Sequence, residues 1–209
     1  FQLPGRATPR VTLGSLSLSG IGTLQFTGRS VLISQPETGG LMTEYGLAGT
    51  PVRTIGNLRA TGHEADRNLH LALNAGIPLK GADGGYWFVF LAGEPALSRF
   101  DRQGQLLFHR RMQGRELDPV VAALPMVWPR RPIDGTEVPL VTPVVRTAAL
   151  DPAGRLWVSF VVPYTYVFDG FGEKVRTVQF QAAGLAAPNS LSFPAPGRLL
   201  VTPGCFEFD

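Results

Sequence analysis

An all-β fold of repeated four-stranded antiparallel sheets is what this chain predicts, on three observations. Four segments share one pattern, in which a short apolar stretch meets a glycine-containing turn and then a second apolar strand. They read Thr23-Leu-Gln-Phe-Thr-Gly-Arg-Ser-Val-Leu-Ile-Ser, His70-Leu-Ala-Leu with Gly84-Gly-Tyr-Trp-Phe-Val-Phe, Thr147-Ala-Ala-Leu-Asp-Pro-Ala-Gly-Arg-Leu-Trp-Val-Ser, and Ser190-Leu-Ser-Phe-Pro-Ala-Pro-Gly-Arg-Leu-Leu-Val-Thr. Within them the apolar residues recur at a period of two: Leu24 and Phe26, Leu71 and Leu73, Ala148 and Leu150, Leu191 and Phe193. That is the period of a strand with one face in a core. Glycine (25) and proline (18) together make about a fifth of the 209 residues, a supply of turn chemistry placed between strands. Small antiparallel sheets repeated along one chain make a β-propeller.

Taken in order, residues 1–209 read as a single domain with repeat units at about 20–56, 69–112, 145–181 and 188–209. Ahead of the first unit, Val11-Thr-Leu-Gly-Ser-Leu-Ser-Leu alternates apolar and polar residues, with a break at Gly14 that suits a bulge. The first unit turns at Gly28, enters an apolar strand at 31–33, and turns again through Tyr45-Gly-Leu-Ala-Gly to a fourth strand at 51–55. An insertion at 56–68 follows. In the second unit, His70-Leu-Ala-Leu is the expected first strand, the turn is Gly84-Gly85, and the run 86–91 is the second strand. Phe100-Asp-Arg-Gln-Gly then leads to a fourth strand at 105–110.

The second insertion, 113–144, contains Glu116-Leu-Asp-Pro-Val-Val-Ala-Ala-Leu, a short helix with Asp118 as cap and Pro119 in its first turn. Trp128-Pro-Arg-Arg-Pro after it is extended, because a proline disfavours helical backbone in the residue before it. The third unit turns at Gly154, runs through 156–162, and turns at Phe168-Asp-Gly-Phe-Gly into 174–180. Asp101 and Asp169 in these second turns are expected to hold backbone amides. The fourth unit turns at Gly197, continues in 199–201 and reaches Phe206-Glu-Phe-Asp without an outer strand. The strand at 11–18 is left over. Pairing it beside 206–208 closes a four-bladed ring with no open edge, the alternative being an arc of a six-bladed propeller.

Composition narrows the function classes. The net charge of +3 is small, and the arginines are scattered through turns with no basic stripe, so no nucleic-acid partner is expected. No apolar run reaches the length of a membrane-spanning helix. The single cysteine, Cys205, excludes an intrachain disulfide and reads as a buried thiol in an apolar strand. The chain starts Phe1-Gln-Leu-Pro without methionine, which a removed signal peptide explains; a periplasmic or secreted protein is the expectation.

Asp151-Pro-Ala-Gly-Arg-Leu-Trp-Val, followed by Tyr166-Val-Phe-Asp-Gly-Phe-Gly, resembles a blade of the NHL and gluconolactonase-like β-propellers. Pro188-Asn-Ser-Leu-Ser-Phe is similar to the Pro-Asn-Gly-Leu-Ala-Phe stretch with which such enzymes begin an inner strand. In those lactonases the asparagine binds a divalent metal beside a Glu, a second Asn and an Asp from other blades. The resemblance therefore implies Asn189 as a metal ligand for Ca²⁺ or Zn²⁺, joined by Glu64 or Asp66. The equivalent positions in the other units are Gly22, Leu69 and Arg146, none of them a metal ligand.

Residues at the start of inner strands line a propeller's channel mouth. Here they are Thr23, His70, Thr147 and Ser190, with Arg146 and Asn189 one step before, a set suited to a small anionic or polyol ligand. His63-Glu64-Ala-Asp66 with His70 has the residue types of a metal or acid–base cluster. His109-Arg-Arg and Arg130-Arg131 suit an acidic partner, and Met126 with Trp128 in the second insertion suits protein contact. The leading expectation is a non-catalytic binding or scaffold propeller without a cofactor, an accessory subunit of a larger extracytoplasmic assembly that binds a protein partner. The alternatives are a metal-dependent lactonase-like hydrolase and a carbohydrate-binding propeller, for which Trp87 and Trp157 stand at near-matching positions.

Overall fold

The computed structural model describes residues 23–180, 187–203 and 206–208. The first sheet comprises β1 (Leu24–Phe26), β2 (Ser30–Ser34), β3 (Gly40–Gly46) and β4 (Pro51–Asn57), with a 3₁₀ turn at Pro36–Thr38. Helix α1 (Arg67–Leu73) precedes the second sheet: β5 (Gly76–Lys80), β6 (Tyr86–Phe90), β7 (Ala96–Phe100) and β8 (Leu106–Arg111). The second insertion holds α2 (Asp118–Ala122) and a hairpin of β9 (Arg130–Ile133) and β10 (Thr136–Pro139). The third sheet is β11 (Val145–Leu150), β12 (Leu156–Phe160), β13 (Thr165–Phe168) and β14 (Lys174–Val178). Described strands of the fourth are β15 (Ser190–Ala195), β16 (Arg198–Thr202) and β17 (Phe206–Phe208). Strand order follows chain order in all four sheets, every pair is antiparallel, and the sheets are the blades of a four-bladed β-propeller.

Alternation within the second strands explains the stacking. On β6, Tyr86, Phe88 and Phe90 face the first blade and pack with Leu32, Leu41, Met42 and Ile55. Trp87 and Val89, pointing the other way, join Leu156, Val158 and Phe160 of β12. Trp157, on the opposite face of β12, packs with Leu191, Leu199 and Val201 of the fourth blade. A strand sandwiched between neighbouring sheets must be apolar on both faces, which is why these runs show little alternation in sequence. Outer strands β4, β8 and β14 are largely exposed and carry Arg53, Arg110, Arg111, Lys174 and Arg176, charges that discourage pairing with another chain's edge.

The turns repeat as well. In blades one to three the register between third and fourth strands shifts just before the turn, at Glu44/Tyr45, Arg99/Phe100 and Val167/Phe168. Asp101 accepts from the amides of Gln103 and Gln105, and Asp169 from those of Phe171 and Glu173, all within 2.8–2.9 Å. Both aspartates hold their turns, as expected of this residue.

Two expectations are corrected, and a third, the extended segment after Trp128, is met by β9 and extended to a hairpin. His70-Leu-Ala-Leu is helix, not strand: Asp66 caps the Leu69 amide, and Leu69 and Leu73 lie one above the other on the buried face of α1. The inner strand of that blade is instead β5, whose Pro78 is tolerated because β5 is an edge strand. Asp118 begins α2 rather than capping it, and no side chain caps that helix. The extended segment after Trp128 turns back as a hairpin through Asp134 and Gly135, whose φ values of 49° and 77° suit the mirror-image turn favoured by an Asp-Gly pair. The strand expected at 11–18, its pairing with 206–208, Gly22 and Cys205 lie outside the described residues.

Candidate functional site

Of the hydroxyls expected at a channel mouth, those of Thr23 and Ser190 are engaged in structural bonds. Thr23 Oγ1 donates to the carbonyl of Gly76 at 2.9 Å, linking the first and second blades. Ser190 Oγ lies 2.7 Å from Thr202 Oγ1 across the β15–β16 pair. Thr147 is half-buried in the β11–β12 ladder opposite Ser159. Arg146 and Asn189 are brought together on the exposed surface, where Nη1 donates to Oδ1 at 2.7 Å. His70 is not at the mouth. It sits on α1 with Nδ1 2.8 Å from Thr61 Oγ1 and 3.9 Å from Glu64 Oε1. Gly76 opens β5 in its place, its amide donating to Ser34 Oγ.

The residues proposed for a metal each have another partner. Glu64 Oε1 accepts from the amides of Thr61 (2.7 Å) and Gly62 (3.1 Å), which hold its carboxyl below the usual range. Asp66 accepts from Leu69 as helix cap and pairs with Arg130. Asn189 accepts from Arg146. Among the described residues no group of three His, Cys, Asp or Glu side chains is arranged to hold a metal ion. Trp87 and Trp157, the candidate sugar platforms, are buried inside β6 and β12.

The two insertions meet instead beside the second blade. Leu69 and Leu73 of α1 leave an apolar face that Trp128 covers together with Ala92 and the half-buried Val141. Arg130, three residues from the β9–β10 turn, ties the second insertion to Asp66 of the first. Trp128 is therefore 8% exposed, whereas Met126 and Val127 just before it are 95% and 85% exposed. Arg130 and Arg131 lie on the exposed β9. Of the residues read as partner-binding, Trp128 is thus part of the scaffold and Met126 is on the surface.

Between the joined insertions and the blade lies a cleft of about 460 Å³, lined by Arg59, Thr61, His63, Glu94, His109 and Arg111 above an apolar floor that includes Leu73 and Trp128. Arg59 is fixed from several sides. Its amide donates to Oδ1 of the fully buried Asn74, and the Asn74 amide donates back to the Arg59 carbonyl. Its guanidinium lies 3.9 Å from the centre of the Phe90 ring and donates to the carbonyls of Leu73 (3.0 Å), Ala92 (3.1 Å) and Glu94 (3.4 Å). Burial pulls its pKa down to about 10, against the pull of the Glu94 carboxylate, so it remains a cation at neutral pH.

Arg111 pairs with Glu94 at 3.0 Å. His109 lies with Nδ1 3.0 Å from Ser98 Oγ and its ring edge-on to Phe90. Burial first, then the Arg59 and Arg111 charges, push its pKa below the ordinary histidine value, which keeps the imidazole neutral at pH 7. The sequence marked His109 and Arg111 as a charge cluster but gave no sign of Arg59 or Glu94. The signal that joins them is tertiary: Arg59 is an ordinary loop arginine until Asn74 and Phe90 fix it.

No protein-family profile matches the chain. No curated protein matches it in sequence. Among solved structures, a protein of unknown function from Bacteroides caccae shares 14% identity over 85% of this chain and 50% of its own length, with a TM-score of 0.46. The WD40 β-propeller domain of Doa1 shares 10% identity over 86% of this chain and 45% of its own, also at 0.46. The extracellular domain of the hybrid two-component system BT3049 from B. thetaiotaomicron shares 16% over 87% of this chain and 25% of its own, at 0.36. The chain spans half or less of the length of each.

Proposed function

We propose that this propeller is a non-catalytic binding or scaffold module, an accessory part of a larger periplasmic or secreted assembly, and that it recognises its protein partner with the joined insertions. The observation that carries this reading is the placement of Met126 and Val127. They stand almost fully exposed on a loop that Trp128 and the Arg130–Asp66 pair hold in position, beside Pro125 and Trp128 in the wall of the cleft. Apolar side chains presented on a fixed support, next to a concave polar patch, are the composition of an interface core with its rim. A fixed loop also loses less conformational entropy on binding than a free one.

The test is native mass spectrometry of protein from its natural source, alongside a Met126→Asp, Val127→Asp double variant and cell fractionation. The wild type is expected in a larger extracytoplasmic complex and the double variant as a free chain with an unchanged melting temperature. A wild type that is monomeric throughout, or a double variant that stays in the complex, overturns the reading.

A further inference from the structure

We propose that the cleft between the insertions and the second blade is a binding pocket for the single carboxylate of an apolar organic acid. The inference rests on the cleft being the recognition site, and supplies the chemistry of what enters it. Its first ground is charge. Arg59 is a half-buried cation whose protons go to backbone carbonyls; Glu94 acts on it from a distance, and no carboxylate of the described residues forms an ion pair with it. Such carbonyls satisfy hydrogen bonds but do not cancel a full charge, and burying an uncompensated charge is costly. Arg111 and Glu94 neutralise each other, and His109 is neutral, so the surplus facing this part of the cleft is one positive charge. One carboxylate balances it, whereas a phosphate dianion over-balances it.

The second ground is shape and lining. A volume of about 460 Å³ exceeds what a carboxylate alone needs and falls in the range of small-molecule pockets. Beyond the charged groups, the walls are Leu73, Ala96, Leu124, Pro125 and Trp128 beside Thr61 and His63. A hydrocarbon body suits the apolar part of those walls. The third ground is pre-organisation. Asn74 and Phe90 hold Arg59 in place, so a ligand meets a guanidinium already oriented.

Free carboxylic acids and the C-terminal residue of a partner polypeptide share this chemistry, and calorimetry with four probes separates them. Octanoate stands for a free acid, and acetyl-Ala-Ala-Leu with a free carboxyl stands for a chain end. Octanamide and the tripeptide amide are their uncharged counterparts. At least one acid is expected to bind tenfold or more tighter than its amide. A tighter tripeptide assigns the pocket to a polypeptide end, and a tighter octanoate assigns it to a free acid. Glu94→Gln removes the carboxylate that competes for Arg111 and is expected to tighten acid binding three- to tenfold while leaving the amides unchanged. Arg59→Gln is expected to abolish the preference for acid over amide; because that variant also disturbs the loop, Glu94→Gln carries the decision. Equal affinities for acid and amide, no binding of either acid, or a Glu94→Gln protein with weaker acid binding overturns the proposal. None of these readouts depends on the assembly, so a protein that binds the acid yet is monomeric in its source sinks the scaffold reading alone. A protein assembled through Met126 and Val127 that ignores the acids sinks the pocket alone.

Discussion

Gly56 shows how one residue sets the geometry of the site. It lies in β4 where the chain leaves the first blade for the insertion that carries Arg59, with φ at 76°. A Cβ there would stand 2.8 Å from Phe100 Cζ and 3.0 Å from Leu41 Cδ1, both in the packed core between the first two blades. Left-handed backbone costs an alanine about 1–2 kcal/mol, and the intruding methyl adds about 1–2 kcal/mol of overpacking. Gly56→Ala is therefore expected to destabilise the protein by about 2–4 kcal/mol, read as a lower denaturant midpoint at unchanged slope. An unchanged midpoint would mean that the turn relaxes without consequence for the core. Little of this was open to view in the sequence, where Gly56 marked the start of an insertion. The need for glycine comes from Phe100 and Leu41, which are distant in the chain.

At the scale of elements, legibility followed periodicity. Strands β6 and β12 were readable because a doubly buried strand is a continuous apolar run, and the Asp101 and Asp169 turns because their bonds are local. The α1 segment misled because Leu69, Leu71 and Leu73 alternate like a strand, while the helical spacing of Leu69 and Leu73 and the Asp66 cap mark a helix. The insertions were legible as insertions but not as one structure, since Trp128 and Leu73 meet only in the fold. That contact carries a prediction. Trp128→Ala opens a cavity between α1 and the second insertion, a loss of about 3 kcal/mol or more for a buried tryptophan. Because the cluster around Trp128 is separate from those the blades share, the cost falls locally. Hydrogen exchange is expected to quicken across α1 and the β9–β10 hairpin while β6 and β12, and Leu117 packed with them, keep their protection. Uniform quickening would show that the insertions and blades unfold as one unit.

Over the whole molecule, the junctions between blades differ in kind, and removing one buried carboxylate should tell them apart. The second and third blades join through a wide apolar cluster that includes Trp87, Leu156, Phe160 and Tyr166, with one carboxylate, Glu116, accepting from Tyr166 Oη at 2.6 Å. The first and second share an apolar cluster too, but also a polar clamp around the buried Glu44. Glu44 accepts from Ser30 Oγ (2.6 Å) and Arg53 Nε (2.9 Å) of its own blade, and from Lys80 Nζ (3.0 Å) and Tyr86 Oη (3.1 Å) of the next. Burial pushes the Glu44 carboxyl up, yet the bonds from Ser30, Lys80 and Arg53 outweigh it and hold the group below the ordinary value. A lowered carboxyl stabilises the fold above the unfolded-state pKa of about 4.3, and that stability is lost as pH falls through the folded value. Protonation removes the charge to which Lys80 and Arg53 are bound and leaves two cations facing each other. The loss is about 3 kcal/mol, the low end for a broken buried ion pair, because both cations keep access to water. Acid also protonates Asp151, the buried carboxylate that holds Trp157 Nε1 and Arg155 in the third blade. Glu44→Gln at pH 7 is therefore the change that isolates the clamp. Hydrogen exchange of that variant should show the amides of β1–β4 losing protection while those of β11–β14 keep theirs. If Glu44→Gln spares the first blade at pH 7, the apolar contacts alone hold that junction and the clamp adds nothing to it.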